Sequence, residues 1–192
     1  MKRELIGRVL LKCSAMLLAC AAMQGCLLNS VRHLTSAPRT KPDSAHAIVV
    51  VGIGLDVPWS FAELETILVE YSLRKEAVTG NCFRYNRIEV SVPPSPAGVR
   101  YFAFEVPANV YAYLDNPNAP LLSSPTGRAF VAPPGGTVYL GDYVLIGKKN
   151  IEYRNDLIAA RLGAQSLLPR GTVLQAAEPA VAEHVHMPLC TP

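Results

Sequence analysis

From about residue 45 onward, apolar positions recur mostly with period two, and proline and glycine punctuate the pattern. "AHAIVVVGIGL" (Ala45 to Leu55) is a continuous apolar run closing on glycines, as expected of a buried strand, with Gly52 to Gly54 as its terminal turn. "NRIEVSV" sets Ile88, Val90 and Val92 against Arg87, Glu89 and Ser91. "VRYFAFEV" sets Phe102, Phe104 and Val106 against Tyr101, Ala103 and Glu105. "VYAYLD" from Val110, "RAFVA" from Arg128 and "TVYLGDYVLI" from Thr137 read as further strands. Residues 60–77 carry two patterns. Ser60 and Glu63 fit a helix capping box, yet Ile67, Val69, Tyr71 and Leu73 alternate, which favours a strand over Thr66–Leu73. "NDLIAARLGAQSLL" predicts a helix near 155–168, capped by Asn155, striped by Leu157, Ile158, Arg161 and Leu162, and stopped by Pro169. Short strands between Pro/Gly turns predict a mainly β protein, a small antiparallel β-sandwich with one C-terminal helix.

Two turns share a plan. "EVPANVYAY" and "FVAPPGGTVYLGDY" each run from an apolar strand end through a proline turn into a strand with an early tyrosine. The plan predicts hairpins with a left-handed residue after the proline. Asn109 fills that role in the first, and Gly135 or Gly136 in the second. Tyr139 is expected to point at the facing sheet. These turns resemble the hairpins of transthyretin-like and carboxypeptidase-regulatory-like β-sandwich modules, and the stretch Asn81 to Leu145 resembles a group of uncharacterised bacterial lipoproteins. The resemblance implies a sandwich fold and a periplasmic setting, and it carries no catalytic residue.

The N-terminus has a different texture. Lys2, Arg3, Arg8 and Lys12 stand against Glu4, and Cys13 to Met23 is uncharged. A basic region followed by a short apolar core and small residues describes a secretory signal peptide. The apolar run is short of the roughly 20 residues a membrane-spanning helix needs. "MQGC" ending at Cys26 and "LLAC" ending at Cys20 both resemble the bacterial lipobox, whose cysteine receives a diacylglycerol before the chain is cut in front of it. Cys20 has the better consensus; Cys26 leaves an apolar core of more ordinary length and is favoured. Leu27 rather than Asp after Cys26 implies sorting to the outer membrane of a double-membraned cell.

Removal of residues 1–25 from a chain of 192 changes the charge picture. The whole chain is formally +3. The segment removed holds four bases and one acid, so the remainder is balanced, without the basic footprint of a nucleic-acid binder. Residues 26–45 follow as a lipidated cysteine and a flexible tether, rich in Ser, Thr, Pro and charge. The sandwich domain spans 46–175, and 176–192 reads as a C-terminal tail. Of five cysteines, Cys82 and Cys190 remain after processing and lipidation, and an oxidising compartment predicts a disulfide between them.

Motifs for chemistry are sparse. There is no G-x-S-x-G elbow, Gly52 to Gly54 lacks the remaining signature of a dinucleotide site, and Gly147-Lys148-Lys149 lacks the Walker glycines. "HVHMPLC" places His184 and His186 on one side of an extended segment, a two-imidazole arrangement for copper or zinc. "DNPNAP" (Asp115 to Pro120) has too few carboxylates for a calcium cage. Dense aromatics (Tyr101, Phe102, Phe104, Tyr111, Tyr113, Tyr139, Tyr143) are expected mostly in the core, with a partner or glycan platform as the alternative. The sequence thus predicts an outer-membrane lipoprotein facing the periplasm. It predicts a binding or structural module, not an enzyme, with no cofactor. The expected partners are the membrane, through the lipid, and an envelope protein or glycan. The alternative is a periplasmic metal-binding protein using His184 and His186.

Overall fold

The computed structural model describes residues 29–58, 64–81, 84–93, 95–114, 128–147, 150–182 and 185. Twelve strands form two sheets among these residues. The first contains β1 (Arg32–Leu34), β2 (His46–Leu55), β6 (Gly98–Pro107), β9 (Thr137–Ile146) and β10 (Asn150–Arg154), in the order β1-β6-β2-β9-β10, with β11 (Gln175–Ala176) also on β9. The second contains β3 (Leu64–Ser72), β4 (Ala77–Val78), β5 (Arg87–Val92), β7 (Asn109–Tyr113), β8 (Arg128–Ala132) and β12 (Pro179–Val181), in the order β12-β8-β7-β3-β4, with β5 also on β3. The molecule is mainly β, a two-sheet sandwich, as expected. Its second sheet is antiparallel throughout; the first is mixed, because β9 runs parallel to both β2 and β11.

The central strands follow their sequences. β2 is apolar throughout and is buried from Ala47 to Leu55, since it lies between β6 and β9 with both faces covered. β5 keeps its alternation, with Ile88, Val90 and Val92 buried and Glu89 and Ser91 exposed. The ambiguous stretch is a strand, as favoured: β3 pairs with β5, β7 and β4. Gly52 and Gly54, read as a terminal turn, instead lie within the ladder of β2.

The core between the sheets joins Val49, Val51, Ile53, Phe104, Leu140 and Tyr143 of the first sheet to Leu68, Ile88, Val90, Tyr111 and Phe130 of the second. Aromatic rings link the layers: Tyr113 and Tyr143 have centroids 4.6 Å apart, and Phe130 and Tyr153 stack at 6.1 Å. Two further apolar clusters cover the outer faces. One packs the helix side against the first sheet. The other packs Ala182 and Val185 against Val69, Tyr71 and Ala129 of the second.

Several expectations are corrected here. The two proline turns are not hairpins: β6 and β7 belong to different sheets, and so do β8 and β9. Each turn is an arch that carries the chain across the sandwich. Pro107, Pro133 and Pro134 bring no N–H to a ladder, so pairing stops where they stand. In the second arch Gly135 takes the left-handed conformation at φ +68, as expected. Asn109 does not, since Glu76 is the sole non-glycine with positive φ among the described residues. The first arch is held otherwise, by Ala108 N–H donating to the Ala45 carbonyl at 2.9 Å and Asn109 Nδ2 donating to Glu70 Oε1 at 2.6 Å.

The tether and tail are also bound over part of their lengths. Within residues 26–45, Arg32–Leu34 pairs with Ala103–Glu105, and Leu34 is buried. Within residues 176–192, β12 pairs with β8. The predicted helix is shorter and differently capped. It spans Leu157–Gly163 (α1), its N-cap is Asp156 rather than Asn155, and a 3-10 turn over Gln165–Leu167 follows. Asp156 Oδ1 accepts from Ala159 N–H at 2.9 Å, the usual service of an N-cap carboxylate. The apolar stripe is rotated as well. Ala160 and Ala164 are fully buried, whereas Ile158 and Leu162 are 73% and 72% exposed. Two alanines one turn apart let α1 sit close to the sheet, which leaves the larger residues facing outward.

Candidate functional site

A β-bulge in β9 builds the outer face of the first sheet. The β2–β9 register steps from Val50↔Tyr139 to Gly52↔Asp142, so two residues, Leu140 and Gly141, stand opposite Val51. Gly141 has φ +107, a conformation that glycine alone adopts without strain. A Cβ there would lie 2.1 Å from the Tyr153 ring, and the Tyr153 hydroxyl donates to the Leu140 carbonyl at 3.1 Å. The extra residue inverts the alternation. Leu140 points into the inter-sheet core, and after the bulge so do Tyr143 and Leu145. Asp142 is thereby turned to the opposite face, which carries Tyr139.

Asp142 is 2% exposed and Tyr139 is 1% exposed. Gly52 makes the space: a Cβ on it would lie 2.0 Å from Asp142 Oδ1. Tyr101 of β6 completes the group, its ring 6.4 Å from that of Tyr139. Asp142 Oδ1 and the Tyr139 hydroxyl have no hydrogen-bond partner among the described residues. Burial holds the Asp142 carboxyl above the usual carboxylate range, and the charge of Asp156 adds to that effect. Burial likewise raises the Tyr139 phenol, with Asp142 beside it contributing, and moves Tyr101 to about 12. All three groups therefore hold their protons more firmly than in water. Such groups donate hydrogen bonds more readily than they release a proton, and Asp142 and Tyr139 are shielded from solvent while Tyr101 is half-buried.

Tyr139 was expected against the facing sheet. It is core as predicted, but beneath α1, with Ile48, Val50, Ala103, Ala160 and Leu174. The core expectation holds for Phe104, Tyr111, Tyr113, Tyr139 and Tyr143, all of them buried. A groove of about 750 Å³ opens where α1, the 3-10 turn and residues 169–174 meet. Leu162, Thr172 and Val173 line it, and the Arg161 guanidinium closes one wall by donating to the Leu174 carbonyl from Nε (3.1 Å) and Nη2 (2.9 Å).

The residues singled out from sequence lie elsewhere. Cys20, Cys26, Cys82, Cys190, His184 and His186 are outside the described residues, as is the stretch Asp115 to Pro120. Among the described residues no three His, Cys, Asp or Glu side chains gather as metal ligands, and no helix is long and apolar enough to cross a membrane. Asp142 was missed by sequence reasoning, although the Gly-Asp pair interrupting "TVYLGDYVLI" is a signal of the bulge. No protein family, curated protein or solved structure was found to match this chain.

Proposed function

We propose that this chain is a lipid-anchored envelope protein. Its sandwich domain is held in the periplasm at the outer membrane and acts as a binding or structural module without catalysis. The observation that carries this reading is the N-terminal order of features: a basic segment to Lys12, an uncharged apolar run, then Met23-Gln24-Gly25-Cys26. Two or more acyl chains on one cysteine give stable membrane attachment, where a single chain gives only marginal binding. The burial of Asp142 and Tyr139, at 2% and 1% exposure, supports a structural role for that polar pair within the module. On the same reading Cys82 and Cys190 form a disulfide in an oxidising compartment.

Labelled palmitate fed to the producing cell tests the anchor. The wild-type protein should incorporate label and partition into detergent, and Cys26→Ala should lose both properties. Label retained in Cys26→Ala and lost in Cys20→Ala would move the anchor to Cys20. An unlabelled wild-type protein would remove the lipoprotein reading altogether.

A further inference from the structure

The first described residues are fastened to the domain at one place. Asn29 Nδ2 donates to the Arg87 carbonyl at 2.9 Å, and Arg87 N–H donates back to Asn29 Oδ1 at 3.1 Å. Ser30 N–H donates to Asn86 Oδ1 at 2.9 Å. Asn86 Nδ2 in turn donates to Glu70 Oε2, and Asn109 Nδ2 to Glu70 Oε1, so the fastening reaches into β3 and β7. Cys26 precedes Asn29 by three residues, which span at most about 10–11 Å when fully extended. A lipid on Cys26 therefore leaves almost no leash. The headgroup region of one leaflet is itself about 5–7 Å thick.

One end of the sandwich lies at this point. β3 and β5 pair with Val69 opposite Arg87, and β3 continues past that level to Ser72 and into the turn Leu73 to Glu76. Leu73, Arg74, Lys75 and Glu76 are exposed there, and Arg84 is exposed at the neighbouring Asn81–Arg84 bridge. Arg32 and Arg87 are engaged by Glu105 and Glu89. Arg74, Lys75 and Arg84 enter none of the ion pairs found among the described residues. The β3–β4 turn and the neighbouring bridge thus offer three cations against Glu76, beside an exposed leucine, while Asp43 and Glu178 are exposed along the arches of the same end.

We propose that this end of the sandwich, with Leu73, Arg74, Lys75 and Arg84, lies against an anionic lipid surface, held there by the three-residue span from a lipidated Cys26. The inference rests on the lipoprotein reading. Basic side chains near an anionic leaflet gain attraction that fades within a Debye length, so a short span is what makes them effective. The opposite end, where Asn150 begins β10, points away from the membrane.

Photo-crosslinking on the full-length acylated protein in vesicles of phosphatidylglycerol and phosphatidylethanolamine tests this. A benzophenone amino acid is placed at position 73 or at position 150, and intact mass confirms the state of Cys26 in the same samples. Position 73 should yield lipid adducts about fivefold or more above position 150, because the span fixes its effective concentration at the surface. Equal yields on acylated protein overturn the inference and leave the lipoprotein reading standing. An unacylated Cys26 overturns both. A flexible Gly/Ser insert of about 20 residues before Asn29, with a root-mean-square reach of about 25 Å, should lower the ratio. A ratio that the insert does not change overturns the claim that the short span holds this end down.

Discussion

The two faces of the first sheet are buried by different means. The inner face meets another sheet, and its contact row is built from Val49, Val51, Ile53, Phe104, Leu140 and Tyr143, with no charged group in the cluster. The outer face meets the seven-residue helix α1 through alanines, and it holds a carboxyl oxygen and a phenol oxygen without a hydrogen-bond partner among the described residues. β9 brings Asp142 to the outer face, and Tyr143 and Leu145 to the inner one, because the Gly141 bulge reverses its alternation midway. The lesson is that β9 is tuned by its backbone as much as by its side chains. Burying an unpaired polar group costs free energy, so the outer face is the place where this fold tolerates strain and proton dependence.

The comparison is broken most severely at Tyr139. Tyr139→Ala should destabilise by about 3–5 kcal/mol, as large-to-small changes in a packed cluster do. Chemical denaturation reads the loss, and a change within about half a kcal/mol would mean that α1 does not depend on the ring. Gly141→Ala should cost about 2–4 kcal/mol, combining left-handed strain with the overlap on Tyr153. A neutral result there would show that the bulge is not required.

Asp142→Asn sharpens the contrast through pH. The Asp142 carboxyl has a raised pKa in the folded state, so the folded protein holds this proton where the unfolded chain has released it. Stability therefore falls as pH rises from the ordinary aspartate range, near 3.8, through the raised folded value. The wild type should lose ground to Asp142→Asn across that window and hold a constant difference above it. The opposite slope would mean that the carboxylate has a stabilising partner. The smallest effect is expected at the outward residues of α1: Ile158→Ser and Leu162→Ser should each stay within about half a kcal/mol, since both side chains are largely exposed. A larger loss in thermal unfolding would place them in a buried contact.

Much of the inner face was legible in the sequence. β2 announces itself by a run of apolar residues and β5 by strict alternation, because burial imposes those patterns directly. The outer face was not. Period two carried through "TVYLGDYVLI" puts Asp142 on the same side as Val138 and Leu140, and only the bulge moves it. β1 and β12 were hidden for another reason. "RHL" and "PAV" are three-residue edge strands whose extended state is set by the neighbours they pair with, β6 and β8, and not by their own propensities. The arches misled because a proline turn followed by tyrosine looks the same whether the next strand returns to its own sheet or crosses to the other.

The central claim is that this sandwich is anchored through an acylated cysteine three residues before its first fastening point. The most direct measurement is the mass of the N-terminal peptide of the mature protein. A peptide that begins at Cys26 with a diacylglyceryl group, followed by Leu27 and Leu28, is the predicted result. A peptide that begins at Cys20, or one that carries no lipid, would contradict it.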